Sequence, residues 1–500
     1  MRSFQKQPVL YLSISILVLL ALWFIIFTAS AYSFIETFSL QIRNAFGGFY
    51  LVLGLVCVLL LVGISISPWG RLTLGKAEDR PQFSRFAWIA MLYSAGMGAG
   101  ILLRAVQEPV FMQQHPPIVN GSSPEIVGLE YTFYQWGFTA WAFYALFAIA
   151  IGYPLFVHRE KIATSSAFVS LSRKRPLLTG IDTLAILTTV FGLIAALGLG
   201  TTQITGGINH LLGGTFDFGM VLALTLVIAG LATLSVLSGV DRGIKNISTA
   251  NILLTLALLV FVFVQGDWAQ IMERFFVALY QYIIDFIPLS LAYGDFDPGP
   301  AFLADWTYYY WAFWLAWAPF TGMFIARISR GRSLREMIIG VLLIPSLASF
   351  FWFTVFGDAA FESLGDLVTY DGRYDNVFTS IFVFLETLPG AGFSTVVVVL
   401  LLISFLVTSL DSAIFVLSMF TDQGKEEPSR HHRILWSIAL TLFAIGLLFL
   451  GQARPDIDVL TAVQKLLIIT SLPFAMLMIV MIVLLLRTLA RRANRQAHSS

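Results

Sequence analysis

The stretch TYYYWAFWLAWAPF, residues 307–320, carries eight aromatic rings in fourteen positions. At about 100° per residue, Tyr310, Phe313, Trp314 and Trp317 fall within an arc of roughly 100° on one helix face. A second set lies in TFYQWGFTAWAFYALF, where Trp136, Trp141 and Tyr144 span an arc of roughly 140°. Ring faces turned toward one another make a box for a cation. Each ring contributes about 0.5–2 kcal/mol, and quaternary ammonium groups are the usual guests. Such a guest has no N–H to donate, so aromatic faces select it by bulk and weak hydration. A lone carboxylate would also draw protons and small cations. Any one of these rings could serve helix packing instead; two clusters in separate parts of the chain point to a site.

Other residues could join that chemistry. MLYSAGMGAGILLRAVQEPV alternates Gly96, Gly98 and Gly100 at its centre. Glycine inside a helix costs up to about 1 kcal/mol relative to alanine, so three together favour local unwinding. Unwound carbonyls at membrane depth can hold a cation. The Gly96–Gly100 spacing also suits close packing of two helices. Arg104 follows one turn later, and arginine at a bilayer midplane costs at least about 2.5–3.5 kcal/mol. Three compensations are open: an ion pair with Glu108 at i+4, extension toward the outer interface, or a clamp on the acidic end of a ligand. LVTSLDS adds Thr408, Ser409, Asp411 and Ser412. Hydroxyls can bond back to their own helix, whereas an intramembrane carboxylate is a functional candidate.

The elements that must position these groups follow from composition. Of the 500 residues, 58% are hydrophobic and 12% charged, against about 25% charged in soluble domains. Runs of about twenty apolar residues recur throughout, which predicts an all-α polytopic membrane protein in the lipid bilayer. Twelve spans centre near Leu19, Val56, Gly96, Phe143, Phe191, Leu226, Leu258, Trp317, Ile344, Ser404, Ala444 and Met476. Lys and Arg concentrate in alternate loops, such as RISRGRSLR and KEEPSRHHR, which places both termini in the cytoplasm. The run at 9–29 ends near Ala29-Ser30-Ala31, a cleavage-like site. It exceeds a signal core of about 7–15 residues, so an uncleaved first span is expected.

The amphipathic segment from Asp267 is expected along the outer face. It divides the core into two groups of five spans, and an odd number in each half makes the halves inverted repeats. The expected organisation is 1–85, N-terminal tail and two accessory spans; 86–266, first five-helix repeat; 267–300, connecting helix; 301–486, second repeat; and 487–500, a short basic tail. The lone Cys57 offers no disulfide, and no Cys/His spacing suggests a transition metal. No hydrolase, metalloprotease or phosphate-loop motif is present, so an enzyme is not expected, and nothing suggests a nucleic-acid partner. A channel needs no tight aromatic box; a receptor on the same fold would bind without uptake.

The motifs AGMGAG then QEP, WGFTAWAFYAL, GLGTTQITGGI, SGVDRGIKNIS, DWTYYYWAFWLAWAPFTGMFIARISRGRSLRE, FGDAAF and FLVTSLDSA occur in this order. Together they resemble the betaine/carnitine/choline transporter family. The resemblance implies the inverted-repeat fold of LeuT-like sodium-coupled transporters, a homotrimer, an inner-membrane location and a small zwitterionic or cationic substrate. It maps the substrate box onto Trp136, Trp141, Tyr144 and Trp314, with Trp311 also matching, Phe313 where tryptophan is common, and Trp317 nearer the cytoplasmic path. It implies a sodium site from carbonyls near Ser94 and Met97 and the hydroxyls of Thr408 and Ser409, with no other cofactor. Sodium-independent members carry a positive side chain in place of the ion; none stands in GLGTTQITGGI, so sodium symport is expected over exchange. Arg104 departs from the family's usual aromatic residue. As a clamp it would favour betaines, sulfonium acids or amino-sulfonates over choline. The short tails do not suggest osmotic gating.

Overall fold

A computed structural model describes residues 7–497 apart from 77, 97, 239–240, 365–369 and 426; the side chains of 93–96, 241–246 and 493–497 are also outside the description. Regular structure among the described residues is helical, apart from one antiparallel bridge between Thr73 and Ser333. Among the described residues, nine helices are long and apolar enough to cross a membrane, or ten if a bent pair counts as one. The chain is an integral multi-pass membrane protein.

Helices α1 (Pro8–Ile26) and α2 (Thr28–Ile66) meet at the single residue Phe27. The third apolar stretch is broken twice, into α3 (Arg85–Gly96), α4 (Ala99–Arg104) and α5 (Gln107–Gln114). The first break falls in the glycine run, where Gly98 is extended (φ −161°, ψ −173°). The second has its cause in Pro109. In a continuous helix its ring would clash with the carbonyl of residue 105, whereas in the first turn of a new helix proline is tolerated.

The fourth stretch breaks at Gly137, between α6 (Pro124–Trp136) and α7 (Phe138–His158). A Cβ on Gly137 would sit 2.5 Å from the Phe350 ring and 2.6 Å from the Phe133 carbonyl oxygen. Only glycine lets the chain turn there, and the turn fixes where Trp136 points. Next come α8 (Arg175–Leu212), α9 (Phe218–Ser238) and α10 (Asp241–Phe263).

The amphipathic segment is α11 (Trp268–Ile284), started by Asp267, whose carboxylate accepts from the Ala269 and Gln270 N–H groups at 2.9 and 3.2 Å. It buries Ile271, Phe275, Ala278 and Tyr282, one stripe at helical spacing. The remaining helices are α12 (Phe286–Leu291), α13 (Pro300–Asp305), α14 (Thr307–Ile328), α15 (Leu334–Leu364), α16 (Ser380–Leu385), α17 (Ala391–Thr421), α18 (Arg430–Leu450) and α19 (Val459–Ala497).

The aromatic helix α14 lies at the centre, packed on α7, α8 and α19, while α4 lies against α8 and α17. At the Lys/Arg-rich end, Leu74 N–H donates to the Arg332 carbonyl and Leu334 N–H to the Leu72 carbonyl, both at 2.8 Å. Arg330 grips Asp79 through two bonds of 2.9 and 3.2 Å. These contacts join the loop after α2 to the end of α14.

Candidate substrate site

Where α4, α7 and α14 face α8, α10 and α17, a cavity of about 1380 Å³ enters the bundle. Trp136, Trp141, Tyr144, Phe313, Trp314 and Trp317 all line it. The two sequence clusters therefore converge. Trp136 meets Trp314 at a centroid distance of 5.1 Å and 69°, and Tyr310 at 5.6 Å and 64°. Tyr144 stands at 86° to Trp314 (6.5 Å), and Trp141 at 88° to Tyr144 (5.3 Å). Near-perpendicular planes build a corner, a shape that presents more than one π face to a compact cation. Gly100 makes room for it: a Cβ there would lie 3.4 Å from the Trp136 indole. Phe313 and Trp317 continue the wall (6.2 Å apart).

Glu108 holds the corner together. It is fully buried, and the Trp136 indole N–H donates to both its oxygens at 3.2 Å. The Tyr310 hydroxyl donates to Glu108 Oε2. Two rings from different halves of the chain are thus oriented by one carboxylate. The Trp314 indole N–H is held separately, by the Gln135 carbonyl at 2.9 Å. Sequence reading named Glu108 only as a possible partner of Arg104; its place in an apolar run was the available signal.

Arg104 lines the cavity and is 4% exposed. Its Nε lies 3.9 Å from Glu108 Oε2, its Nη1 donates to Gln107 Oε1 at 2.6 Å, and its guanidinium sits 4.9 Å from the Trp306 ring centroid. Of the three compensations open from the sequence, the ion pair is the one present, and it leaves the side chain on the cavity wall. Toward α13, Phe302, Trp306, Tyr310 and Trp314 stack at every fourth residue, with centroids 6.0, 6.4 and 5.8 Å apart. Phe111 covers Trp306 at 4.8 Å.

Trp311 is placed differently from the expectation. It does not line the cavity; its ring packs on Tyr134 at 5.1 Å, and its Nε1 would lie 2.9 Å from a Cβ on Gly54 of α2. It is a buried packing residue behind the box. Thr408 and Ser409 do line the cavity, on α17, which packs against α4. Thr408 Oγ1 donates to the Ser404 carbonyl at 2.8 Å, the back-bond open to any hydroxyl in a helix. Met97 lies outside the described residues, and for Ser94 only the helical backbone is described.

With this geometry in view, the chain matches the profile of the betaine/carnitine/choline family transporters over residues 8–494. The chain belongs to that family. It is a transporter and not an enzyme. It is 34% identical over 495 residues to a glycine betaine transporter of Bacillus subtilis, covering 97% of this chain and 94% of that one. It is 32% identical over 495 residues to a probable glycine betaine transporter of Desulfitobacterium hafniense, covering 97% and 98%. An ectoine/hydroxyectoine transporter of Virgibacillus pantothenticus is 32% identical over 462 residues, 89% of each chain.

Proposed function

We propose that this family member is a secondary active transporter taking up a betaine-type zwitterion. The observation that carries the reading is the corner of Trp136, Tyr310, Trp314 and Tyr144 on the cavity wall, with Trp136 and Tyr310 oriented by Glu108. A trimethylammonium head fits ring faces and needs no acceptor. The Arg104–Glu108 pair supports a zwitterion over a simple cation. Its negative end touches the box and its positive end lies one helical turn away, so a betaine can lie antiparallel beside it. Two of the relatives are named for glycine betaine and one for ectoine, both zwitterionic solutes.

The proposal extends to mechanism. Twelve spans, two accessory and two inverted sets of five as in LeuT-like transporters, alternate access across the inner membrane with both termini cytoplasmic, in a homotrimer. Sodium enters with the substrate, bound between the interrupted α3–α4 segment and the hydroxyls of Thr408 and Ser409. The cavity is lined at one end by Gln82, Arg330, Glu427 and Arg433, residues of the Lys/Arg-rich loops, which corresponds to an inward-facing state. A second reading, an exchanger or an amino-sulfonate carrier that clamps its anion on Arg104, draws on the place of Arg104 in the cavity lining. The engagement of Arg104 by Glu108 weighs against it.

Proteoliposome uptake tests both. Labelled glycine betaine is expected to accumulate under an inward sodium gradient and not under potassium. Sodium-indifferent exchange would discard the coupling, and absence of both accumulation and exchange for betaine and choline would discard the substrate class.

A further inference from the structure

Gln203 lies on the α8 wall of the cavity, and α8 packs against α4. Its side chain is fully buried, and neither amide atom, Oε1 nor Nε2, has a hydrogen-bond partner. An amide offers two N–H donors and a carbonyl acceptor. Left dry and unpaired it destabilises the protein, so buried amides are normally paired. Leucine would fill the same space without that cost.

Helix register fixes the height of this amide relative to the aromatic corner. Gly192 of α8 meets Ala316 and Trp317 of α14. α8 begins at the Lys/Arg-rich loop SRKR and α14 ends at RISRGR, so the two run in opposite directions and each step along α8 toward Gln203 climbs α14 from Trp317 past Tyr310 toward Trp306. Gly200, one turn before Gln203, touches Leu406 of α17. Gln203 therefore stands beyond the aromatic corner, on the side where Arg104 covers Trp306.

We propose that Gln203 is a specificity-determining residue: its Nε2–H donates to the carboxylate, or equivalent oxygen acceptor, of a zwitterion whose ammonium head occupies the corner. The missing partner of the amide is then the substrate itself. A neutral donor suits the place, since the Arg104 charge on the wall of the same cavity is already opposed by Glu108. This inference rests on the betaine-type reading above and adds the residue that senses the acidic end.

The experiment compares glycine betaine with choline, which lacks the carboxylate, by tryptophan-fluorescence titration of purified protein. Gln203→Leu is expected to weaken betaine binding by about tenfold or more, the loss of one hydrogen bond to a charged group, and to leave choline within about twofold. Its ligand-free melting temperature is expected to be equal or higher. Gln203→Asn, with the amide on a shorter stem, serves if the leucine variant does not fold; it is expected to lower betaine affinity selectively. Equal effects on both ligands, or none, overturn the assignment while leaving the transporter reading intact. A wild-type protein that binds neither compound overturns both.

Discussion

Trp136 Nε1 lies 3.2 Å from each oxygen of Glu108, so a carboxylate on α5 fixes the indole that ends α6. The Tyr310 hydroxyl donates to the same carboxylate from α14. A phenol or indole that donates to an anion gains electron density in its ring, which strengthens attraction for a cation over its face. In the site proposed above, Glu108 therefore acts on a bound cation through two rings. Arg104, at 3.9 Å, keeps that charge compatible with burial.

The corner itself is the first thing to test. Trp314→Ala is expected to lower betaine affinity by about tenfold or more, and Trp314→Phe by much less, because a phenyl face remains. Fluorescence titration measures both; equal losses would show that the indole N–H bond to Gln135, not the ring face, matters.

Removing one member of a buried ion pair leaves the other charge stranded. Arg104→Leu is expected to destabilise by about 3–5 kcal/mol, and Arg104→Leu combined with Glu108→Gln to recover most of it. Thermal unfolding in detergent gives the double-mutant cycle. If the single and double variants melt together, the pair is not what holds Arg104.

Trp311 separates packing from binding. Trp311→Ala is expected to cost about 3–5 kcal/mol in stability through the cavity left behind. Betaine affinity per folded molecule should stay within about twofold, as expected of a ring outside the cavity wall. A selective affinity loss would falsify that placement.

The Lys/Arg-rich end gives a pH prediction. The hydrogen bonds and charge of Arg330 hold the Asp79 carboxyl below its ordinary range. A depressed carboxyl contributes stability above its unfolded pKa and loses it as pH falls through the folded one. That contribution is intact at neutral pH and is lost only below the ordinary aspartate range, so strong acid is expected to loosen the junction between the α2 loop and α14, seen as faster cleavage of this loop by an acid-active protease such as pepsin. Arg330→Gln should flatten that acid limb; a limb of unchanged steepness would assign it to other carboxyls.

Much of this site was legible in the chain because helical periodicity is a strong signal in apolar segments. Tyr310, Phe313, Trp314 and Trp317 fall on one arc, and they do share a face. The glycine run and Pro109 mark the two breaks that bring α4 to the cavity. Trp311 matches the family motif, yet it stands roughly 60° beyond Trp314 on the wheel, off the shared arc. Glu108 and Gln203 could not be read as they stand. Their roles depend on which rings and voids other helices bring within reach, and a single sequence carries no record of that juxtaposition.

The ladder of Phe302, Trp306, Tyr310 and Trp314 has a mechanical consequence. Its lower rungs, Tyr310 and Trp314, share the single rod of α14, with Trp306 at the break before it and Phe302 on the separate helix α13. Tilting that rod to admit solute from one side must also re-aim the gripping rings. In the transport cycle proposed above, entry and capture are then one movement, and a solute that fails to seat its head leaves the rod without a reason to swing.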